Sequence, residues 1–296
     1  MKVAWVHDHL LDEIPDGGAQ ISNDKLIQTG RERGHQVDIF TPKNTTEDIM
    51  GYDLISVHNA KFFTHKHLLF FIRHPMVVKH EHDYWNLVDP SQEGSKSEIW
   101  KNSKLGVFLS PGQHQTYKRL MPWLQLEPYT LSPSPVDVEA FQDLGKHSED
   151  IVVCVSSMSQ HKGTINAARW AQDNPNYKVH FYGRPAHPDF VAMVNNVPNA
   201  EYKGVASLDE MPEIYNNAYG LIHMPQWMEP CGRSVIEARL CGCKLFLNER
   251  IGVATYSWWS HSDSEFREII KDAPIKLWEE MEKTNAKRLS KRDIKV

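Results

Sequence analysis

Two separate stretches of the chain show one order of elements, and that order dictates a parallel sheet. Residues 3–7 (Val-Ala-Trp-Val-His) read as a buried strand, Asp16-Gly17-Gly18-Ala19 as a turn, and the following residues as a helix to about Arg33. Ala19, Asn23, Leu26, Ile27 and Gly30 fall three and four apart on that helix. Gly34 ends it, and residues 36–41 form the next strand. Strand, crossover helix and strand make a βαβ unit, which requires parallel pairing. Further short apolar runs at 54–57, 76–79 and 107–109 extend the series. The pattern then restarts, with strands at 151–156, 178–182 and 219–223, a helix at 233–241 and a strand at 244–247. Prolines 128, 133 and 135 between the two sets suggest a linker. The architecture repeats without a close sequence repeat, and 296 residues are ample for two domains.

Composition narrows the function classes. At 41% hydrophobic and 24% charged residues the chain is an ordinary globular one. Its net charge of −5 gives no bulk electrostatic case for nucleic acid. A basic end is the exception: Lys283, Lys287, Arg288, Lys291, Arg292 and Lys295 stand against Asp293 alone. That tail reads as a solvated helix end or as a weak contact for anionic membrane or phosphate. The longest apolar candidate for a membrane span, residues 68–72, is far shorter than the ~18 required. The apolar start before His7 is too short for a signal peptide, so the expectation is a cytoplasmic protein, at most peripheral at a membrane. Cys154, Cys231, Cys241 and Cys243 have neither disulfide-framework nor zinc-site spacing and read as buried thiols. The tail is read as helical, with a capping box at Ser262-Asp263-Ser264-Glu265. Pro274 is expected to interrupt it and start a second helix whose Ile275, Trp278 and Met281 are buried.

The densest chemistry lies in residues 228–243. Glu229 and Glu237 stand eight positions apart, the first on a loop after a strand and the second about one turn into a helix. Gly232 permits close backbone approach at the helix start. First-turn amides and the positive end of the helix dipole suit an anion such as a diphosphate. Glu237, roughly 6 Å along the axis from Arg233 at ~1.5 Å per residue, is placed to accept hydrogen bonds from a ribose. Glu229 is then free to reach the group beyond the diphosphate. The plainer alternative is two surface ion pairs.

This segment, Glu, seven residues, Glu, followed by Ala and a Gly, resembles the retaining nucleotide-sugar glycosyltransferases of family 4. The resemblance runs nearly the whole length. Gly17-Gly18-Ala19-Gln20 is similar to the family's first Gly-rich loop, and His82-Asp83 stands where the family carries a His after a mid-domain strand. Leu109-Ser110-Pro111 with Gln115, Ser134-Pro135-Val136-Asp137, the Lys162-Gly163 loop, Lys203-Gly204-Val205 and 211–218 follow in family order.

The resemblance implies an α/β GT-B fold, two Rossmann-like domains with parallel sheets facing across a cleft. Residues 1–145 would form the acceptor-side domain and 146–273 the donor domain, with 274–296 a helix packing back on the first. It implies a metal-independent transferase with no cofactor, whose donor substrate is a nucleoside-diphosphate sugar and whose acceptor stays open among lipid-linked sugar, protein, small molecule and modified base. Lys162 would contact the diphosphate and Glu237 the ribose. Glu229, with the Cys231, Gly232, Arg233 and Ser234 backbone, would hold sugar and phosphates. Gly17 and Gly18 would face the diphosphate side, and His82 with Asp83 the transferred sugar.

The chain departs from the family at one point. Ser156 and Ser157 occupy positions where the family usually carries an Arg, so Arg184 or Arg233 would have to take its role. That departure keeps two alternatives open, a nucleotide-sugar epimerase of similar architecture and a catalytically silent sugar-nucleotide or partner-binding relative. A metal site at His80, His82 and Asp83 finds no support in the resemblance.

Overall fold

A computed structural model describes residues 1–9, 17–84 and 93–293, with side chains left out at 93–96 and 291–293. Asp16 of the first turn and Lys295 of the tail lie outside the described residues, as do the side chains of Lys291 and Arg292. The chain divides into two compact units, Met1–Pro135 with Asp272–Val296, and Val136–Lys271.

The first unit holds a six-stranded sheet in the order β2-β1-β3-β4-β5-β6, parallel throughout. Its strands are β1 Lys2–His7, β2 Gln36–Phe40, β3 Leu54–His58, β4 Val77–Glu81, β5 Leu105–Phe108 and β6 Tyr129–Leu131. The helices are α1 Gly18–Glu32, α2 His65–Arg73, α3 Glu93–Asn102 and α4 Pro111–Leu120. Both sheet faces are covered by apolar packing, as continuous runs such as Val3-Ala4-Trp5-Val6 demand. Strand β6 lies inside the proline cluster that the sequence suggests is a linker. Only three residues long, it adds the sheet edge where proline neighbours cost no ladder bonds.

The second unit holds β7 Ile151–Val155, β8 Lys178–Tyr182, β9 Ala200–Gly204, β10 Gly220–His223 and β11 Lys244–Leu247, parallel in the order β11-β10-β7-β8-β9. Its helices are α5 Thr164–Asp173, α6 Pro188–Asn195, α7 Met211–Asn216 and α8 Arg233–Leu240. Val136 to Gly145, expected with the first domain, belong here. Val136, Val138 and Phe141 are buried, and the Leu144 amide donates to Asn216 Oδ1 at 2.7 Å. The Arg267 guanidinium caps the Val138 and Phe141 carbonyls.

The last helix, α9 Asp263–Asp293, is continuous through Pro274, contrary to the expected interruption. Its buried residues Phe266, Ile270, Ala273, Leu277 and Met281 recur every three or four positions along both halves. Packing on both sides of the proline outweighs the loss of one backbone bond. Trp278 and Met281 are buried in the first unit's core, whereas Ile275 lies off the buried stripe and is exposed. Trp278 Nε1 donates to the Leu26 carbonyl at 2.8 Å, and a Cβ on Gly30 would sit 2.1 Å from the Trp278 ring. Gly30 therefore weakens helix α1 locally and admits the indole.

Candidate functional site

In a doubly wound sheet, ligands bind beyond the carboxyl ends of the strands where the strand order reverses. In the second unit that point lies between β7 and β10. The loop after β7 carries Lys162, and the loop after β10 carries Glu229. Lys162 Nζ donates to both carboxylate oxygens of Glu229, at 2.9 and 2.8 Å. Burial would raise the Glu229 pKa, but the Lys162 charge and then the His223 ring hold it well below the usual carboxylate value. His223 Nε2 is 3.8 Å from Glu229 Oε2, beyond a hydrogen bond.

The loops are fixed by glycines. Gly163, φ +81°, caps α5, and a Cβ there would come within 1.9 Å of the Met224 carbonyl oxygen. Gly232, φ +91°, opens α8 in the left-handed region that favours glycine. The Glu229 amide donates to the Arg250 carbonyl at 2.8 Å, and the Val253 amide to the Cys231 carbonyl at 2.7 Å. The acidic loop is thus held between the helix start and residues 250–253.

One helical turn on, Arg233 Nε donates to Glu237 Oε1 at 2.6 Å, and the Tyr215 hydroxyl donates to Glu237 Oε2 at 3.1 Å. Burial and then the Glu237 carboxylate push the Tyr215 pKa well above its usual value, so it stays a donor. The structure brings Lys162, Glu229, Cys231, Gly232, Arg233, Ser234 and Glu237 together around the α8 N-terminus. Both glutamates are ion-paired, but as buried groups, 7% and 5% exposed. Arg184 is exposed and follows Gly183. Its carbonyl accepts from the Met158 amide at 2.9 Å, which sets it beside the Ser156–Ser157 loop. Tyr215, His223 and Trp227, whose ring lies 5.8 Å from Lys162 Nζ, were not anticipated. Tyr215 reaches Glu237 through a tertiary contact with no linear signature, whereas His223 ends a buried strand and was visible there.

The remaining expected residues lie in the first unit. Gly17 caps α1 at φ −77°, a conformation open to any residue, and Gly18 begins the helix. His82 is buried, as is His80. Beside them the topology sets a third ring, His58, at 4.6 and 5.3 Å from the His80 and His82 rings. His7, His58 and His80 are register partners at the ends of β1, β3 and β4, the reversal point of that sheet. His58 Nδ1 lies 3.0 Å from His82 Nε2, and His58 Nε2 lies 2.8 Å from Ser56 Oγ. The His80 and His82 rings stack at 4.4 Å, and His58 stacks on Trp5 at 4.3 Å. Burial keeps all three rings neutral; it lowers the His80 pKa to about 3. Asp83 is tied in through Asn59, whose side chain donates to Asp83 and accepts from the His82 amide. His80 and His82 were singled out in the sequence, but the run read at 54–57 stops one residue short of His58, which was missed.

No protein-family model and no curated protein sequence matches the chain. Solved structures do match along nearly the whole length. AviGT4, a glycosyltransferase involved in avilamycin A biosynthesis, is 15% identical over 97% of this chain and 98% of its own, with TM-score 0.67. Sucrose-phosphate synthase of Thermosynechococcus elongatus is 15% identical over 98% and 94%, with TM-score 0.67. HepE of Anabaena, solved with UDP and glucose, is 15% identical over 99% of both chains, with TM-score 0.62. At this identity the likeness concerns fold, and together with the two parallel sheets it establishes that the chain adopts the GT-B fold.

Proposed function

We propose that the chain is a retaining glycosyltransferase that binds a nucleoside-diphosphate sugar in its second unit. The observation that carries this reading is the paired arrangement Lys162–Glu229 and Arg233–Glu237 at the N-terminus of α8, at the sheet's reversal point. Two cations and a helix end converge where a diphosphate needs charge. Each cation is stored against a carboxylate. On donor binding the phosphates take over Lys162 and Arg233, releasing Glu229 toward sugar hydroxyls and Glu237 toward the ribose. Tyr215 continues to orient Glu237. Arg233 thereby supplies the guanidinium that Ser156 and Ser157 lack.

When the glycosidic bond to the diphosphate breaks, negative charge grows on the leaving oxygen. Lys162 and the α8 amides stabilise it in place, without reorganising solvent. This set needs neither a cofactor nor a Mg²⁺ or Mn²⁺ ion on the diphosphate. HepE was solved with UDP and with UDP-glucose, which makes UDP the first probe. The serine substitution favours a second reading, a silent binder of the same donor. Diphosphate release that depends on an added acceptor supports the transferase. Donor binding without release supports the silent binder, and isomerised free donor sugar an epimerase.

A further inference from the structure

We propose that the imidazoles of His58, His80 and His82 bind one late first-row transition-metal ion of the zinc type, in the first unit. The inference does not rest on the Lys162–Glu229 and Arg233–Glu237 arrangement, because its three residues belong to the first unit, and it gives His82 a role other than the sugar contact that the resemblance implies.

Four observations carry it. Each of the three side chains offers a ring nitrogen, and these nitrogens lie within 4.8 Å of one another. One pair, His58 Nδ1 and His82 Nε2 at 3.0 Å, is already near the ~3.3 Å spacing of two nitrogens on a tetrahedral zinc with ~2.0 Å bonds. The rest of the gap is a matter of turning rings about broad terminal torsions. Second, His80 Nε2 is buried with no hydrogen-bond partner, an expensive state for a polar atom that a metal bond relieves. Third, the ring nitrogen of His58 that faces away from His82 is engaged by Ser56 Oγ at 2.8 Å. That contact holds Nδ1 toward the cluster, as outer hydrogen bonds orient metal-bound imidazoles. Fourth, the backbone after His58 is held in an unusual state: Asn59 and Ala60 have φ of +56° and +70°. Such strain is retained where the surroundings over-determine it, and here Asn59 ties β3 to the His82 amide.

The chemistry of the donors selects the ion. Three neutral imidazoles without thiolate or carboxylate suit zinc, copper, nickel or iron, not magnesium or calcium. Charge balance allows a dication. Among the described residues Asp83 is tied to the cluster through Asn59, and the ammonium of Lys79 is already paired with Glu81 at 2.5 Å.

The test uses untagged full-length protein stripped with a chelator and titrated with Co²⁺, then Zn²⁺. The expected result is one ion per chain, visible-range d–d absorption of a low-coordinate cobalt–imidazole site, and a higher melting temperature with Zn²⁺. His80→Asn and His82→Asn should each weaken Zn²⁺ binding by about tenfold or more, Ser56→Ala by about 10- to 100-fold, and the exposed His65→Asn not at all. Absence of saturable binding and of cobalt bands in the wild type overturns the proposal, whatever the variants do. So does Zn²⁺ affinity that is unchanged in the folded His80→Asn or Ser56→Ala protein.

Discussion

The two units place polar side chains at the same point of a parallel sheet and solve the resulting problem with different chemistry. The first buries rings that stay neutral, stacked on one another and on Trp5, and keeps an ion pair, Lys79–Glu81, wholly buried on the strand that carries His80. The second buries full charges and pairs each one, Lys162 with Glu229 and Arg233 with Glu237. Neutral imidazoles need packing to hold them. Buried ion pairs are stable only while both partners are present, since removing one leaves an uncompensated charge. The first arrangement is therefore sensitive to its apolar floor and the second to single charge deletions.

The largest expected effect follows from that floor. Trp278 stacks on Trp5 at 5.7 Å, and Trp5 carries His58. Trp278→Ala should cost about 3–5 kcal/mol, as large core aromatics do, and lower the melting temperature of the first unit. Nucleotide binding by the second unit should survive; equal loss in both would break the comparison.

Lys162→Ala comes next. It should lower kcat/KM by about 2–4 kcal/mol of transition-state stabilisation and also destabilise the fold, because Glu229 stays buried without its ammonium. Adding Glu229→Gln should restore much of the stability and none of the turnover. Recovery of turnover in the double variant would remove Lys162 from the chemistry.

Glu237→Ala should weaken nucleoside-diphosphate binding by about 1.5–3 kcal/mol, the value of a hydrogen bond to a charged group, measured by calorimetry. Arg184→Ala serves as the sharpening control. If Arg233 supplies the guanidinium that Ser156 and Ser157 lack, Arg233→Ala reduces donor affinity and Arg184→Ala leaves it near the wild-type value.

The smallest effect is on acid stability. The folded pKa of Glu229 lies below its ordinary 4.5, so the Lys162 pair contributes fully above that pH. The contribution is lost as pH falls through the depressed folded value, at up to about 1.4 kcal/mol per pH unit. Denaturant titrations at stepped pH should show this slope below pH 4.5, and Glu229→Gln should remove it.

How much of this was legible in the sequence depended on whether the signal was local. Buried strands such as residues 3–7 announced themselves by continuous apolar runs, and the Glu229–Glu237 spacing placed both carboxylates at one helix start. Strand β9, Ala200–Gly204, was missed because an edge strand with half-buried residues has no apolar run. Strand β6 was hidden by its prolines. The helix through Pro274 contradicts a sound local rule because tertiary packing overrides it. The His58–His80–His82 cluster depends on strand register between residues more than twenty positions apart, and register is not written in either strand alone.

The central claim is that the second unit recognises a diphosphate through Lys162 and Arg233. Calorimetric titration of UDP, GDP and ADP, each against its nucleoside, tests it most directly, in the wild type and in Lys162→Ala. The account predicts that one diphosphate binds well above its nucleoside, and that Lys162→Ala loses most of that difference. If no diphosphate exceeds its nucleoside, or if the difference survives in Lys162→Ala and Arg233→Ala alike, the account is wrong.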